Sequence, residues 1–355
     1  MTKCSRMSVL IAGSGGMNNF SWKWSKDELC QDKPIKVFSC FSCGGGSSLG
    51  YKRAGFEVIG NNEIDPKINK LYVANNHPKY NYCEDLRAFN RRDDLPDELY
   101  HLDILDGSPP CTSFSTAGVR ERDWGKAKKF REGQARQTLD DLFFIFLDTV
   151  EKLNPKVVIA ENVPGIVRGK AKGYVNQIIT RFRELGYDVQ IFELNAAFMD
   201  VPQARHRIFF IANRRGFPKL RLDFHNDVIS FKEVRSEHGK EIGEGIIKSL
   251  AEQATDSDRC LADTTKRITG EDHNYYSQII VHDDGVVPTI TSGGAFIRLC
   301  DKTLMSDEDF RNVQTFPQDY DFMDAGVQYV CGMSVPPNMM ANVASEVYEQ
   351  WLRSR

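Results

Sequence analysis

The stretch Leu102-Asp103-Ile104-Leu105-Asp106-Gly107-Ser108-Pro109-Pro110-Cys111 joins an apolar run to a polar loop whose backbone is restricted by two prolines. The run 102–105 is typical of a buried strand. Further along, the apolar run 156–160 indicates a second buried strand, which leads directly into Glu161. Ligands of open α/β sheets bind beyond the carboxyl ends of the strands. We therefore expect Cys111 and Glu161 to share one crevice, as a thiolate nucleophile and its carboxyl partner.

The pattern around this stretch predicts an α/β fold. Strand signals occur at 36–39, 57–60, 187–192 and 208–212, and helical apolar spacing occurs at 139–153 and 174–185. Pro155 and Gly186 end the two helices. The repeated strand–helix–strand order predicts a mainly parallel sheet that is covered by helices on both faces.

The alternation stops near Asn213, and the sequence from 214 to about 284 is polar and irregular. Apolar sequence returns after Pro288, and a last helix is predicted at about 338–352. We therefore divide the chain into an N-terminal extension (1–33), a first domain (34–213), a smaller inserted domain (214–285) and a return to the first domain (286–355).

The composition is that of an ordinary globular protein, with 355 residues, 41% hydrophobic and 27% charged residues. No apolar run approaches the roughly 20 residues of a membrane span, and the N-terminus lacks the features of a signal peptide. These patterns predict a cytoplasmic protein. The net charge of −3 argues against a globally basic surface for nucleic acid but is compatible with a local basic face.

The nine cysteines are scattered, which favours reduced thiols over disulfides. Cys40-x-x-Cys43 is a single CxxC pair, and the seven histidines lack the spacing of a zinc site. A redox or metal role for the pair is an alternative, but we favour local packing in a glycine-rich turn and expect no metal.

Three polar features follow the first strands. The glycine-rich turn at 43–48 could bring backbone N–H groups close to a ligand, Glu63 could hold ribose hydroxyls, and Asp85 could reach an adenine amino group. Each has an ordinary alternative, because many such turns are only tight turns and isolated carboxylates are commonly on the surface.

Three further features could carry chemistry. Cys111 could instead be a small buried hydrophobe, but its Pro-Pro loop favours a directed thiol. Glu161 could be an ordinary helix-start carboxylate, but partial burial would favour its use as a proton donor. In 203–207, strand alternation puts Gln203, Arg205 and Arg207 on one side, either as solvated charges or as groups that stabilise a thiolate and bind a carbonyl oxygen.

The segment 119–136 has seven Lys or Arg and three acidic residues, with Trp124 and Phe130 interleaved. Its composition is compatible with a basic loop that closes over a phosphate backbone and, equally, with a solvated charged loop.

Taken together, these motifs resemble the DNA (cytosine-5)-methyltransferase family, from about Pro34 to the C-terminus apart from the insert. Any one motif could occur by chance, but their number, order and spacing make the resemblance specific. The matching motifs are 41–50 for the cofactor turn, Asn62-Glu63-Ile64-Asp65, Asp85-Leu86, Pro109-Pro110-Cys111, Glu161-Asn162-Val163, Gln203-x-Arg205-x-Arg207 and Gly332-Met333-Ser334-Val335-Pro336-Pro337.

The resemblance implies a Rossmann-like, doubly wound mixed sheet of the S-adenosylmethionine-dependent methyltransferase fold, with 214–285 as the target-recognition domain. It implies S-adenosylmethionine as cofactor, and duplex DNA with a flipped cytosine as substrate. Cys111 would attack ring carbon 6, Glu161 would assist at ring nitrogen 3, and Arg205 and Arg207 would hold the base oxygen and the thiolate. The implied cofactor-binding residues are Phe41, Gly44, Gly45, Gly46, Glu63, Ile64, Asp85, Leu86, Pro109, Ser334 and Val335.

The family also implies a monomer that serves restriction–modification or phage defence, with restriction or defence proteins as further partners. Two alternatives stay open: cytosine-5 methylation of tRNA, and a catalytically silent DNA-binding relative. The chain departs from the family pattern at Cys43, where a glycine is usual, at Met333, where an asparagine is usual, and at Glu308-Asp309. Trp22 and Trp24 in the extension are expected either to pack on the body or to touch DNA.

Overall fold

The computed structural model describes residues 19–110, 141–168, 172–214 and 216–353. Cys111, the basic segment 119–136 and the predicted helix start at Leu139 lie outside the described residues.

The elements follow the predicted alternation through the first part of the chain. The strands are β1 (Lys36–Cys40), β2 (Glu57–Asn62), β3 (Tyr80–Tyr82), β4 (Ile104–Gly107), β5 (Val157–Asn162), β6 (Tyr187–Asn195), β7 (Gln203–Ala204), β8 (His206–Arg214), β9 (Gln278–Val281), β10 (Val287–Pro288) and β11 (Ala295–Arg298). The helices are α1 (Gly46–Arg53), α2 (Pro66–Asn76), α3 (Leu86–Asn90), α4 (Leu142–Leu153), α5 (Lys172–Glu184), α6 (Phe231–Val234), α7 (Ile246–Glu252), α8 (Leu261–Thr269), α9 (Asp307–Val313), α10 (Val327–Met333) and α11 (Pro337–Val347). Short 3-10 turns lie at Lys26–Glu28, Asp97–His101, Pro164–Val167 and Ala196–Phe198, and a π turn at Tyr348–Leu352 follows α11.

A seven-stranded sheet in the order β3-β2-β1-β4-β5-β8-β6 forms the centre of the first domain. The pairs from β3 to β5 are parallel, and β8 runs antiparallel to both β5 and β6. This arrangement confirms the predicted mixed, mainly parallel α/β sheet.

Both faces of this sheet are buried, because neighbouring residues of β5 enter different cores. Val158 and Ala160 pack with α3, α4 and α5, whereas Val157 and Ile159 pack with α1 and α11. The last helix therefore returns to the face that α1 covers. The continuous apolar run of β5 reflects this burial on two sides, and the doubly wound arrangement is confirmed.

The smaller unit is built around β9 and β11, which pair in parallel. Helices α7 and α8 pack on Ile280 and Ile297 from these two strands. The strand β10, which follows the predicted insert boundary at 285, pairs in parallel with β7 of the first domain, whereas β11 at 295–298 pairs with β9 of the smaller unit. The division of the chain at 214 and 285 stays a prediction.

The described part of the N-terminal extension, from residue 19, packs on the body of the protein. The Trp24 indole is 2% exposed and donates from Nε1 to the carbonyl of Thr315 at 2.9 Å. The Arg53 guanidinium lies 4.5 Å from the centre of its ring. Of the two roles expected for the extension, packing therefore applies to Trp24.

The substitution Trp24→Ala is expected to lower the free energy of unfolding by about 3 kcal/mol, because it empties a buried site and removes the partner of the Thr315 carbonyl. Urea denaturation followed by circular dichroism measures the change. Trp22→Ala, at the half-buried neighbour, is the control and should cost clearly less. An equal cost at both positions would contradict the anchoring role of Trp24.

Within the four described ranges, no helix combines the length and the apolar character that crossing a membrane requires.

Candidate active site

Three of the predicted motifs meet at one edge of the central sheet. The carboxyl ends of β1, β4 and β5 are neighbours, since Cys40 is opposite Gly107 and Gly107 is opposite Ala160. The glycine-rich turn, the loop toward Cys111 and Glu161 therefore start side by side. Strand order reverses between β1 and β4, which is the kind of position where open α/β sheets bind ligands.

Glu161 is paired with Arg207 at this edge. The Arg207 Nε atom lies 2.8 Å from Glu161 Oε1, and the two side chains are 12% and 11% exposed. Burial lowers the pKa of the Arg207 guanidinium, an effect that Glu161 opposes. The ion pair fixes the carboxyl group while leaving a small part of it open to solvent.

The next residue, Asn162, connects this pair to the loop that precedes Cys111. Its Nδ2 atom donates to the carbonyl of Pro109 at 3.1 Å. Pro109 is buried and Pro110 is half-buried, and Cys111 is the next residue in the sequence, outside the described residues. The end of β5 therefore holds the described start of the predicted nucleophile loop.

Arg205 is bound to the backbone of other segments. Its side chain is 2% exposed and donates at 3.0 Å to each of three backbone carbonyls, those of Ile290, Gly332 and Ser334. Burial, and then the charge of Arg207, lower its pKa. Its terminal nitrogens are directed to the backbone of distant segments, and the expected contact with the base oxygen or the thiolate stays a prediction.

The substitution Arg205→Lys is expected to lower the free energy of unfolding by about 2 kcal/mol. The single ammonium group of lysine cannot replace a planar guanidinium that donates to three backbone carbonyls. Chemical denaturation measures the loss. The exposed Arg221 offers a matched control, since Arg221→Lys should change stability by less than about 0.5 kcal/mol. Equal stability of the two variants would refute a bridging role for Arg205.

The turn after β1 has the compact geometry expected of a ligand cradle. Cys43 has φ +45° and Gly45 has φ +80°, both in the left-handed region, which explains why a glycine is usual where this chain has Cys43. A Cβ atom on Gly46 would lie 2.1 Å from the carbonyl oxygen of Val335. Only glycine at position 46 therefore lets the 334–335 segment pack on the turn.

A small pocket lies between this turn, the end of β4 and the 333–335 segment. It brings together four of the predicted cofactor residues, Phe41, Gly46, Ser334 and Val335. Several hydroxyls and one acid also face it. The remaining lining residues are Ser39, Ser42, Cys43, Ser47, Asp106, Ser108 and Met333.

The other predicted cofactor residues do not line this pocket. Gly44 and Gly45 belong to the turn itself, and Pro109 continues the loop after β4. Glu63 accepts the N–H of Cys43 at 2.8 Å and that of Asp65 at 3.0 Å. Burial raises the pKa of the Glu63 carboxyl, and these backbone hydrogen bonds oppose the rise.

The last three predicted cofactor residues follow β2 and β3, further along the sheet. Ile64 is half-buried beside Glu63. Asp85 caps α3, accepting from the Arg87 N–H at 2.7 Å and pairing with the Arg87 guanidinium at 3.2 Å. Leu86 is 3% exposed and packs in the core. The side chain of Leu86 is therefore occupied by packing.

Three residues of the site were not assigned from the sequence. Gln314 donates to Ser334 O at 2.8 Å and accepts from Gln203 at 2.6 Å. Tyr320 donates from its hydroxyl to Gly44 O at 2.6 Å. No local pattern marks these two. Asp106 had a signal, since it is an acid at the end of an apolar strand.

A family-model comparison matches residues 35–291 to C-5 cytosine-specific DNA methylase. Among curated proteins, the Type II methyltransferase M.NgoPII of Neisseria gonorrhoeae is 34% identical over 212 residues, covering 57% of this chain and 56% of that protein. The Type II methyltransferase M.FnuDI of Fusobacterium nucleatum is 30% identical over 238 residues, covering 66% and 64% respectively. The chain thus spans less than two thirds of the length of either relative.

Solved structures share the fold. A prophage-encoded Escherichia coli protein assigned as a DNA modification methyltransferase gives a TM-score of 0.64 at 21% identity, covering 89% of this chain and 99% of that chain. The S. pombe Dnmt2 methyltransferase gives a TM-score of 0.58 at 15% identity, covering 89% and 99%. At these identities the likeness supports the architecture alone.

Proposed function

Because the chain belongs to the family of C-5 cytosine-specific DNA methylases, we propose that it methylates carbon 5 of cytosine in duplex DNA, with S-adenosylmethionine as methyl donor. The observation that carries the proposal is the paired Glu161 and Arg207 at the sheet edge, held next to the loop that leads into Cys111. The curated relatives, named as Type II methyltransferases, support the same activity.

The proposed chemistry begins with a flipped cytosine. The Cys111 thiolate forms a bond to ring carbon 6, and Glu161 hydrogen-bonds or protonates ring nitrogen 3, so that electron density moves to carbon 5. After carbon 5 has gained the methyl group, loss of its proton restores the ring double bond and expels the cysteine. Arg207 keeps the Glu161 carboxyl in position by their ion pair.

S-adenosylmethionine, when bound, supplies an electrophilic methyl group. The lining of the pocket next to the glycine turn has the chemistry for such a cofactor, because it combines the Phe41 ring with hydroxyls and one buried acid. We propose that Phe41, Gly46, Ser334 and Val335 line its site and that Glu63 supports the turn. Arg205 acts through the 332–334 segment and is therefore a positioning residue.

We propose that the smaller unit reads the DNA sequence, beginning at the predicted boundary of 214 and extending through β11, since β9 and β11 form one paired structure. A monomer that acts on duplex DNA in the cytoplasm, with restriction or defence proteins as further partners, is part of the same proposal. The curated relatives are named Type II methyltransferases, and we propose a restriction–modification setting for this chain on that similarity.

Two experiments test the function. Bisulfite sequencing of plasmid DNA from a methylation-deficient host that expresses the chain should reveal protected cytosines in one sequence context. Purified protein should also form a covalent adduct with a duplex that has 5-fluorocytosine at this target, because fluorine cannot leave carbon 5 as a proton does. A denaturing gel detects the adduct.

The outcomes separate the alternatives. Binding of DNA and cofactor without adduct or methylation would overturn the enzyme proposal in favour of a silent relative. If the protein methylates tRNA and leaves duplex DNA unmodified, the substrate proposal is overturned.

A further inference from the structure

Asp106 is a buried acid that the proposed chemistry does not use. It is the third residue of β4, is 1% exposed, and lines the pocket beside the glycine turn. Ser39 Oγ donates to its Oδ2 atom at 2.6 Å and the Tyr51 hydroxyl donates to its Oδ1 atom at 3.1 Å. The carboxyl group is thus oriented by two neutral donors.

No cation balances this acid within the part of the chain that the structure describes: none of its lysine and arginine side chains forms an ion pair with Asp106. The titratable groups that face it are Cys40 of β1, Tyr51 of α1, Tyr72 of α2 and Glu161 of β5. All of these are neutral or acidic groups. An ionised carboxylate in such surroundings is unfavourable unless a positive charge arrives.

We propose that the Asp106 carboxylate binds a cationic group at the methionine end of S-adenosylmethionine. This inference rests on the proposed function, because it takes the pocket to be the cofactor site. The methionine end of the molecule has two positive groups, the α-ammonium and the sulfonium. Either can supply the positive charge that the described residues do not place beside Asp106.

The charge state of Asp106 links this role to pH. Burial raises the pKa of the Asp106 carboxyl to about 7, with the Ser39 and Tyr51 hydroxyls opposing the rise and Glu161 adding to it. The folded protein therefore binds a proton that the unfolded chain has lost, and stability falls as pH rises from the ordinary carboxyl range through about 7. The affinity of Asp106 for a cation rises with pH over the same range, because the ionised carboxylate is the form that binds a cation.

Isothermal titration calorimetry with S-adenosylmethionine tests the proposal. At about pH 8, Asp106→Asn should weaken binding roughly ten- to a hundredfold, the range for a hydrogen bond to a charged group. At about pH 6 the two proteins should differ much less, because wild-type Asp106 is then largely protonated. Asp97→Asn, at a side chain that is 92% exposed, is the matched control and should bind like wild type.

Titration with S-adenosylhomocysteine, which keeps the ammonium and lacks the sulfonium, identifies the partner. If Asp106→Asn binds S-adenosylhomocysteine as tightly as wild type does, the partner of Asp106 is the sulfonium. If the variant loses affinity equally for both ligands, the partner is the ammonium. Tyr51→Phe provides an independent test, since loss of one donor should move the pH midpoint of binding upward. This variant also covers the case in which Asp106→Asn does not fold.

Wild-type affinity of Asp106→Asn at about pH 8 would overturn the inference, as would a loss of the same size at both pH values. If the wild-type chain binds neither ligand, that result contradicts the proposed function itself rather than the role of Asp106. The two failures are therefore distinguishable in one set of titrations.

Discussion

Replacement of Cys111 with serine is expected to abolish methyl transfer, lowering the rate by a factor of about 10³ or more, while DNA binding stays near wild type. A serine hydroxyl is far less ionised and less nucleophilic than a thiol, so the bond to ring carbon 6 cannot form at a useful rate. Single-turnover transfer of a tritiated methyl group measures the rate, and fluorescence anisotropy measures DNA binding.

The exposed cysteine of the N-terminal extension offers the matched control, because Cys30→Ser makes the same exchange away from the sheet edge. This variant should transfer methyl groups at the wild-type rate and form the 5-fluorocytosine adduct. Full turnover by Cys111→Ser would reject the proposed nucleophile.

Replacement of Glu161 with glutamine is expected to lower the single-turnover rate by roughly 10²- to 10⁴-fold, the usual contribution of a positioned acid or base. Glutamine keeps the shape of the side chain but removes the ionisable oxygen and the ion pair with Arg207. Affinity for DNA and for cofactor should change little. Glu184→Gln, at the exposed end of α5, is the control and should be fully active.

A structural effect of the Glu161 exchange can be separated from a catalytic one. The variant leaves the Arg207 charge without its carboxylate, so thermal unfolding should be measured together with the rate. Glu161→Asp keeps the charge and should restore stability more than activity, because the shorter side chain moves the carboxyl away from the base. A glutamine variant that is stable and fully active would exclude Glu161 from the chemistry.

The central sheet could be predicted from the sequence because burial on two faces leaves a continuous apolar run in each inner strand, as in Val157 to Ala160. The turn at Gly45 and Gly46 was predictable for a similar reason. Its backbone requirements are local, so they are visible in the residue types themselves.

The role of Arg205 could not be predicted, because alternation shows which side of a strand a residue faces but not what lies there. Its partners are 85, 127 and 129 residues away in the sequence. The same limit applies to Gln314 and Tyr320, whose contacts depend on where the C-terminal segment returns. Asp106 shows the opposite case. The residue is conspicuous in the sequence, but only the three-dimensional structure shows that no described lysine or arginine forms an ion pair with it.

The contact between Gly46 and the carbonyl of Val335 also has a consequence for biosynthesis. The ribosome makes the turn at 43–46 long before the wall that closes its pocket, which is complete only after residue 335 has been added. A nascent chain therefore leaves this pocket open until the 334–335 segment has been made. The proposed cofactor binding should be acquired together with the docking of α11.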